Sequence, residues 1–179
     1  MYNDIPAFAG PNILRNRKNR IEQDQTPAQP ADVPRSLRCN AGTLKRAARR
    51  VTHFYDIELA SVGLNLCQYG LLSAINSRGA ALPSVQELAD EIVLDRSTLG
   101  QNLRPLERDG LISLLTDPKD QRVRLIGLTK LGSAKFKEAR KHWEVAQERF
   151  EAVFGQEEAA QLRSVLLSIA YNPELGKQK

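Results

Sequence analysis

Long apolar runs are missing from this 179-residue chain. Nowhere do about 18 apolar residues follow one another, which argues against a membrane-spanning helix. Cysteine is scarce: Cys39 and Cys67 are the only two, too few for a disulfide scaffold and in keeping with a reducing compartment. Histidine is as rare, with His53 and His142 widely separated, and no Cys/His or carboxylate spacing suggests a metal cage. Neither a glycine-rich phosphate loop nor a nucleophile elbow is present. The first ten residues, MYNDIPAFAG, lack the charged start and apolar stretch of a signal peptide. These absences lead us to expect a soluble, cytoplasmic chain that is not an enzyme and needs no metal, cofactor or membrane.

What is present begins with a modest basic excess of 26 Lys and Arg over 21 Asp and Glu. That balance permits contact with a polyanion without requiring it. Five of the nine prolines fall within residues 1–38, among polar residues and few large apolar ones. Such a segment buries too little surface to offset its ordering entropy, so a disordered tail is expected. Its run ILRNRKNR (13–20) reads either as a basic arm on DNA or, more simply, as a solvated charged tail.

From Cys39 the pattern turns helical. Leu44, Ala47, Ala48, Val51, Phe54 and Tyr55 make one apolar stripe, with Gly63 placed to end the helix. Asn65 and Gln68 form a capping-box pair for a second helix carrying Leu71, Leu72 and Ile75. Ser84 caps VQELADEI, Val93 and Leu94 make a turn, and DRSTLGQNLRPLERDG (95–110) follows. Two short helices joined by a tight turn make a helix-turn-helix. In the second, Asp95 is the N-cap, Leu99, Leu103 and Leu106 are the buried side, and Gly110 is a left-handed C-terminal cap. Pro105 lies in the third turn, where it removes a hydrogen bond at a cost of about 3 kcal/mol. The unbroken leucine phase predicts one helix, bent rather than split.

After Gly110 the period shifts towards two. LISLLT (111–116) and RVRLIGLT (122–129) flank DPKDQ, which predicts a hairpin with a five-residue loop. Thr129 caps a long helix in which Phe136, Ala139, Trp143, Ala146, Phe150 and Val153 keep a three/four spacing, and Gly155 interrupts it. A last helix carries Ala159, Leu162, Val165, Leu166 and Ile169 up to Asn172-Pro173. The expected fold is mainly α with a small β-hairpin wing: a winged helix-turn-helix plus a helical dimerisation region.

Opposite the leucines lie Ser97, Gln101, Arg104 and Arg108, with Thr98 on the flank. These residue types read DNA: Gln pairs with adenine, Arg with guanine or phosphate, Ser and Thr with either. Any surface helix also shows polar residues outside, so the helix alone leaves both readings open. The wing adds Lys119, Arg122 and Arg124 on a projecting hairpin, where an arginine fits the narrow minor groove, and Asp120 is placed to hold Arg122. Helix and wing together favour DNA binding, although residues 84–130 hold seven Lys and Arg against eight Asp and Glu. The long helix offers a seam with Trp143 and Phe150 that a second copy, or the last helix folding back, would cover.

The stretches SVQELADEIVLDRSTLGQNLRPLERDGLI, DPKDQRVRLIGLT and LTKLG closely resemble the MarR-type (multiple-antibiotic-resistance regulator) winged-helix transcription factors, over roughly Cys39 to Tyr171. The resemblance implies a homodimer formed through the first helix (39–62) and the C-terminal helices (131–179). The winged helix-turn-helix (63–130) would read a near-palindromic, inverted-repeat site. It places Arg96, Ser97, Thr98, Gln101 and Arg104 in the major groove and Arg122 in the minor groove. Gly100 and Gln101 depart from the Thr and Arg common in similar sequences, which puts any borrowed operator in doubt.

The resemblance further implies a repressor released by a small ligand, often an aromatic acid, in a crevice between the two regions. Candidates are His53, Tyr55, Tyr69 and Trp143 with Arg46 or Arg49 as counter-ion, although residues of each kind more often serve as plain packing or solvated charge. Two other readings stay open: a cysteine-based redox sensor, with Cys39 and Cys67 otherwise inert thiols, and a winged-helix protein-docking module without DNA binding.

Overall fold

The computed structural model describes residues 38–176. The tail and its basic run, expected to be disordered, lie outside the described residues, apart from Arg38 at the boundary. Contacts divide the chain after Thr43. Of the first unit only residues 38–43 are described, where the Thr43 N–H donates to the Cys39 carbonyl at 2.9 Å. From Leu44 onward the chain forms a second unit.

The elements follow in the order α1 (Asn40–Leu59), a 3-10 turn (Ala60–Val62), α2 (Leu66–Ser77), α3 (Val85–Glu91) and α4 (Arg96–Arg108). Then come β1 (Ile112–Thr116), β2 (Arg124–Leu128), α5 (Lys130–Phe154), α6 (Gln156–Ala170) and a single turn, α7 (Pro173–Gly176). Local chemistry explains the boundaries. Asn65 and Gln68 bond reciprocally at the start of α2, and Ser84 and Glu87 do the same for α3. Gly63 and Gly110 adopt positive φ (71° and 69°), where a side chain would be strained. At Gly110 the Leu111 N–H reaches the Leu106 carbonyl at 2.8 Å, the closing bond of a Schellman motif.

β1 and β2 pair antiparallel from Ile112↔Leu128 to Thr116↔Arg124. The hairpin loop therefore spans 117–123, two residues longer than the sequence pattern predicts. Asp117 accepts from the Lys119 N–H at 2.7 Å and Asp120 from the Arg122 N–H at 3.0 Å. These side chains offer the backbone an alternative to the ladder, so the strands stop early. An isolated bridge, Ser84↔Leu125, and a bond from the Ile126 N–H to the Pro83 carbonyl (2.9 Å) fasten the wing to the start of α3.

The core lies between the end of α1, α2, α3, α4, α5 and the wing. Leu59, Leu71, Leu72, Ile75, Leu88, Leu99, Leu106 and Ile126 are fully buried there, each contributing about 1.5–3 kcal/mol of apolar transfer. Tyr69 stacks on both Phe136 and Trp143, with ring centroids 5.7 Å apart in each case, joining α2 to α5. The remaining apolar faces are left open. Leu44 and Ile57 on α1, Val153 and Phe154 on α5, and Leu162, Val165, Leu167 and Ile169 on α6 are all exposed, and of α6 only Ala159 is buried.

Wing and long helix meet at Gly132. The Thr129 hydroxyl donates to the Gly110 carbonyl (2.7 Å) and accepts from the Gly132 N–H (2.9 Å). A Cβ at position 132 would overlap the backbone carbonyl of Leu111, which has no flexible end to move aside. Alanine is ordinarily the better helix former by about 1 kcal/mol. Here the sign should reverse: Gly132→Ala is expected to destabilise by about 1–3 kcal/mol or more, read as a lower midpoint in chemical denaturation.

Candidate nucleic-acid interface

Helix α4 is built around Asp95. Its carboxylate accepts from the Thr98 N–H (2.9 Å), the Ser97 hydroxyl (2.6 Å) and the Thr98 hydroxyl (2.6 Å). The two hydroxyls, Ser97 first, and then the Thr98 N–H hold the Asp95 carboxyl well below the usual carboxylate range. In this arrangement the hydroxyl protons face Asp95, leaving the oxygen lone pairs of Ser97 and Thr98 to accept from outside.

Leu99, Leu103 and Leu106 are buried, which fixes the rotation of α4. Arg96, Ser97, Gln101, Arg104 and Arg108 are consequently exposed, while Thr98 is half-buried. The side chains of Arg96, Gln101 and Arg104 make no hydrogen bond or ion pair with other described residues. Arg108 differs, since its Nε donates to Asp109 at 2.9 Å at the end of the helix. The helix runs through Pro105 without a break, as its leucine phase predicts. Asn102, which the helical wheel does not single out, donates to the Thr98 carbonyl (2.8 Å) and accepts from the Cys67 thiol (3.4 Å), linking α4 to α2.

On the wing, Asp120 holds Arg122 bidentately, Nε to Oδ1 at 3.1 Å and Nη2 to Oδ2 at 3.0 Å. The pair keeps an otherwise exposed guanidinium extended beside the loop. Arg124 donates to the Thr116 hydroxyl at 2.7 Å across the ladder. Lys119 is exposed at the loop. The positive groups of the wing thus occupy one loop and the strand end that supports it.

The six residues considered for a small ligand do not converge. Arg49 and His53 line one open groove along α1 with Lys45, Ala48, Thr52 and Asp56, about 360 Å³ in volume. Arg46 is exposed and is not part of its lining. Tyr69 and Trp143 belong to the aromatic stack between α2 and α5. Tyr55 packs on Phe54 and Phe150, and its hydroxyl donates to Gln147 at 2.7 Å. Burial pushes the Tyr55 and Tyr69 phenols above their ordinary value. The two cysteines are free and exposed; partial desolvation, then the Asp56 charge, raises the Cys67 thiol above its ordinary value.

Residues 62–123 match the family model described as the MarR family. YxaD, an uncharacterised HTH-type transcriptional regulator of Bacillus subtilis strain 168, is 38% identical over 84 residues, 47% of this chain and 57% of YxaD. The transcriptional activatory protein BadR of Rhodopseudomonas palustris is 33% identical over 96 residues, 52% of this chain and 51% of BadR. The matched stretch thus spans about half the length of these curated relatives. Among solved structures, the M. tuberculosis transcriptional regulator MOSR in complex with DNA superimposes with a TM-score of 0.69 at 29% identity, over 78% of this chain and 99% of that one.

Two outcomes follow for α4. Pro105→Ala restores a donor to the Gln101 carbonyl and is expected to stabilise the protein by about 1–3 kcal/mol, measured as a higher denaturation midpoint. Asp95 has a lowered folded-state pKa, so its contribution is full above the unfolded value of 3.8 and lost as pH falls through the folded one. The substitution Asp95→Asn keeps a capping oxygen but removes the charge. The melting-temperature gap between wild type and this variant should therefore hold at neutral pH and shrink below about pH 4.

Proposed function

We propose that this chain is a MarR-family regulator, a homodimeric, sequence-specific DNA-binding protein, because residues 62–123 match that family's model and build a winged fold like that of MOSR. The observation that carries the reading is the rotation of α4. Three buried leucines turn Arg96, Ser97, Gln101 and Arg104 outward while Asp120 holds Arg122 ready on the wing. A helix presenting such groups suits the major groove, and an extended arginine suits the minor groove beside it.

Homodimerisation is supported by the open apolar faces of α1, α5 and α6, which a second copy would cover. Two-fold symmetry would set the recognition helices about 34 Å apart on an inverted repeat. Regulation is proposed to be repression relieved by a small aromatic acid. The α1 groove carries the cations Lys45 and Arg49 beside His53 and Asp56, and the Tyr69–Trp143 stack lies on α2 and α5.

Selection of bound fragments from genomic DNA tests the reading. An inverted repeat should be enriched, and binding should weaken steeply with salt. Arg122→Ala should weaken binding to the selected duplex by about tenfold or more. Recovery of a stable protein partner with no enriched duplex would instead identify a docking module. Val165→Glu, placing a charge on the exposed face of α6, should shift the sedimentation mass from two chains to one and weaken binding to the repeat.

A further inference from the structure

The turn between α3 and α4 holds a residue in a strained backbone conformation. Helix α3 ends in a Schellman motif: the Leu94 N–H reaches the Ala89 carbonyl at 2.9 Å and the Val93 N–H reaches that of Asp90 at 3.3 Å. The motif needs a left-handed residue, which is glycine at the corresponding positions 63 and 110. Here it is Val93, at φ 55°, the only described non-glycine residue with positive φ. A β-branched residue is poorly suited to that conformation, and Val93 is 54% exposed, so burial in the core does not compensate it. Something else holds the turn.

The carbonyls at the end of α3 show what does. Leu88 accepts from Ile92, Ala89 from Leu94 and Asp90 from Val93, all local bonds. The fourth, Glu91, accepts at 2.7 Å from the hydroxyl of Tyr171, which lies 80 residues further on at the C-terminal cap of α6. Left alone, that carbonyl would be an orphan of the helix end. The Glu91 side chain is itself fixed by Arg78, Nε to Oε2 at 2.9 Å, so the residue is gripped from two sides. Tyr171 is otherwise 58% exposed, so its contribution here is the hydroxyl rather than a buried ring.

We propose that Tyr171 is a positioning residue for DNA reading: its bond to the Glu91 carbonyl lets the C-terminal helix set the α3–α4 turn and hence the start of the recognition helix. The inference rests on the DNA-binding reading above. It supplies a path between the exposed face of α6 and the base-reading face of α4, so a shift of α6 is felt at Asp95. The residue touches no DNA. It acts through one carbonyl and the two-residue turn that follows.

Tyr171→Phe removes the hydroxyl and keeps the ring. In the full-length protein without DNA, amide hydrogen exchange at Val93 and Leu94 should quicken by about three- to tenfold, the range expected for losing one hydrogen bond. Exchange in the α2 core and the sedimentation mass should stay as in wild type. On the selected duplex, affinity should fall by a similar factor, and Tyr171→Trp, which offers a ring N–H donor, should restore part of both effects. Unchanged exchange at the turn, or faster exchange with unchanged affinity, would overturn the proposal. If wild type binds no duplex at all, the DNA-binding reading fails, and the exchange measurement still decides whether Tyr171 holds the turn.

Discussion

The structure depends on the burial of one leucine face. Leu99, Leu103 and Leu106 of α4 are sealed against Leu71, Leu72 and Leu88, with Ile126 of the wing closing the same core. Turning α4 by one residue would rotate a leucine out and a polar residue in, at several kcal/mol for the lost burial and the unsatisfied group together. That cost fixes which side chains face outward. The wing is bound to the same core through Pro83 and Leu125, so the hairpin cannot move far without disturbing α3.

Net charge plays a smaller part than its placement. Residues 84–130 carry seven basic against eight acidic side chains, yet several of the acids are committed to internal work. Asp95 caps α4, Asp117 and Asp120 shape the loop, Glu87 closes a capping box, and Glu91 pairs with Arg78. Arg96 and Arg104 project from α4 and Lys119 from the wing without such partners among the described residues. Acidic groups that organise the backbone and basic groups left outside give a positive face on a nearly neutral lobe.

Much of this is legible in the sequence because it is local. Asn65–Gln68, Ser84–Glu87, Asp95, Gly110 and Thr129 declare helix ends within a few residues, and the leucine spacing gives the rotation of α4. The hairpin loop exceeds its expected length by two residues because aspartate side chains compete with the strand ladder, a choice that apolar alternation does not report. The candidate ligand residues share a chemistry but not a place. Tyr55 and His53 sit on different faces of α1, so one packs on Phe150 while the other borders the groove. Tyr171 carries no signal at all. Its partner is a backbone carbonyl 80 residues away, which no spacing rule can find.

The most direct test of the central claim is site-specific cross-linking to the selected duplex, with Cys39 and Cys67 replaced by serine and a photoreactive group placed at one new cysteine. From Gln101→Cys, on the outward face of α4, cross-links should fall on bases at two positions symmetric about the centre of the repeat. From Val145→Cys, exposed on α5, they should be near background. Cross-linking from position 101 no stronger than from position 145 would contradict the orientation that the buried leucines impose.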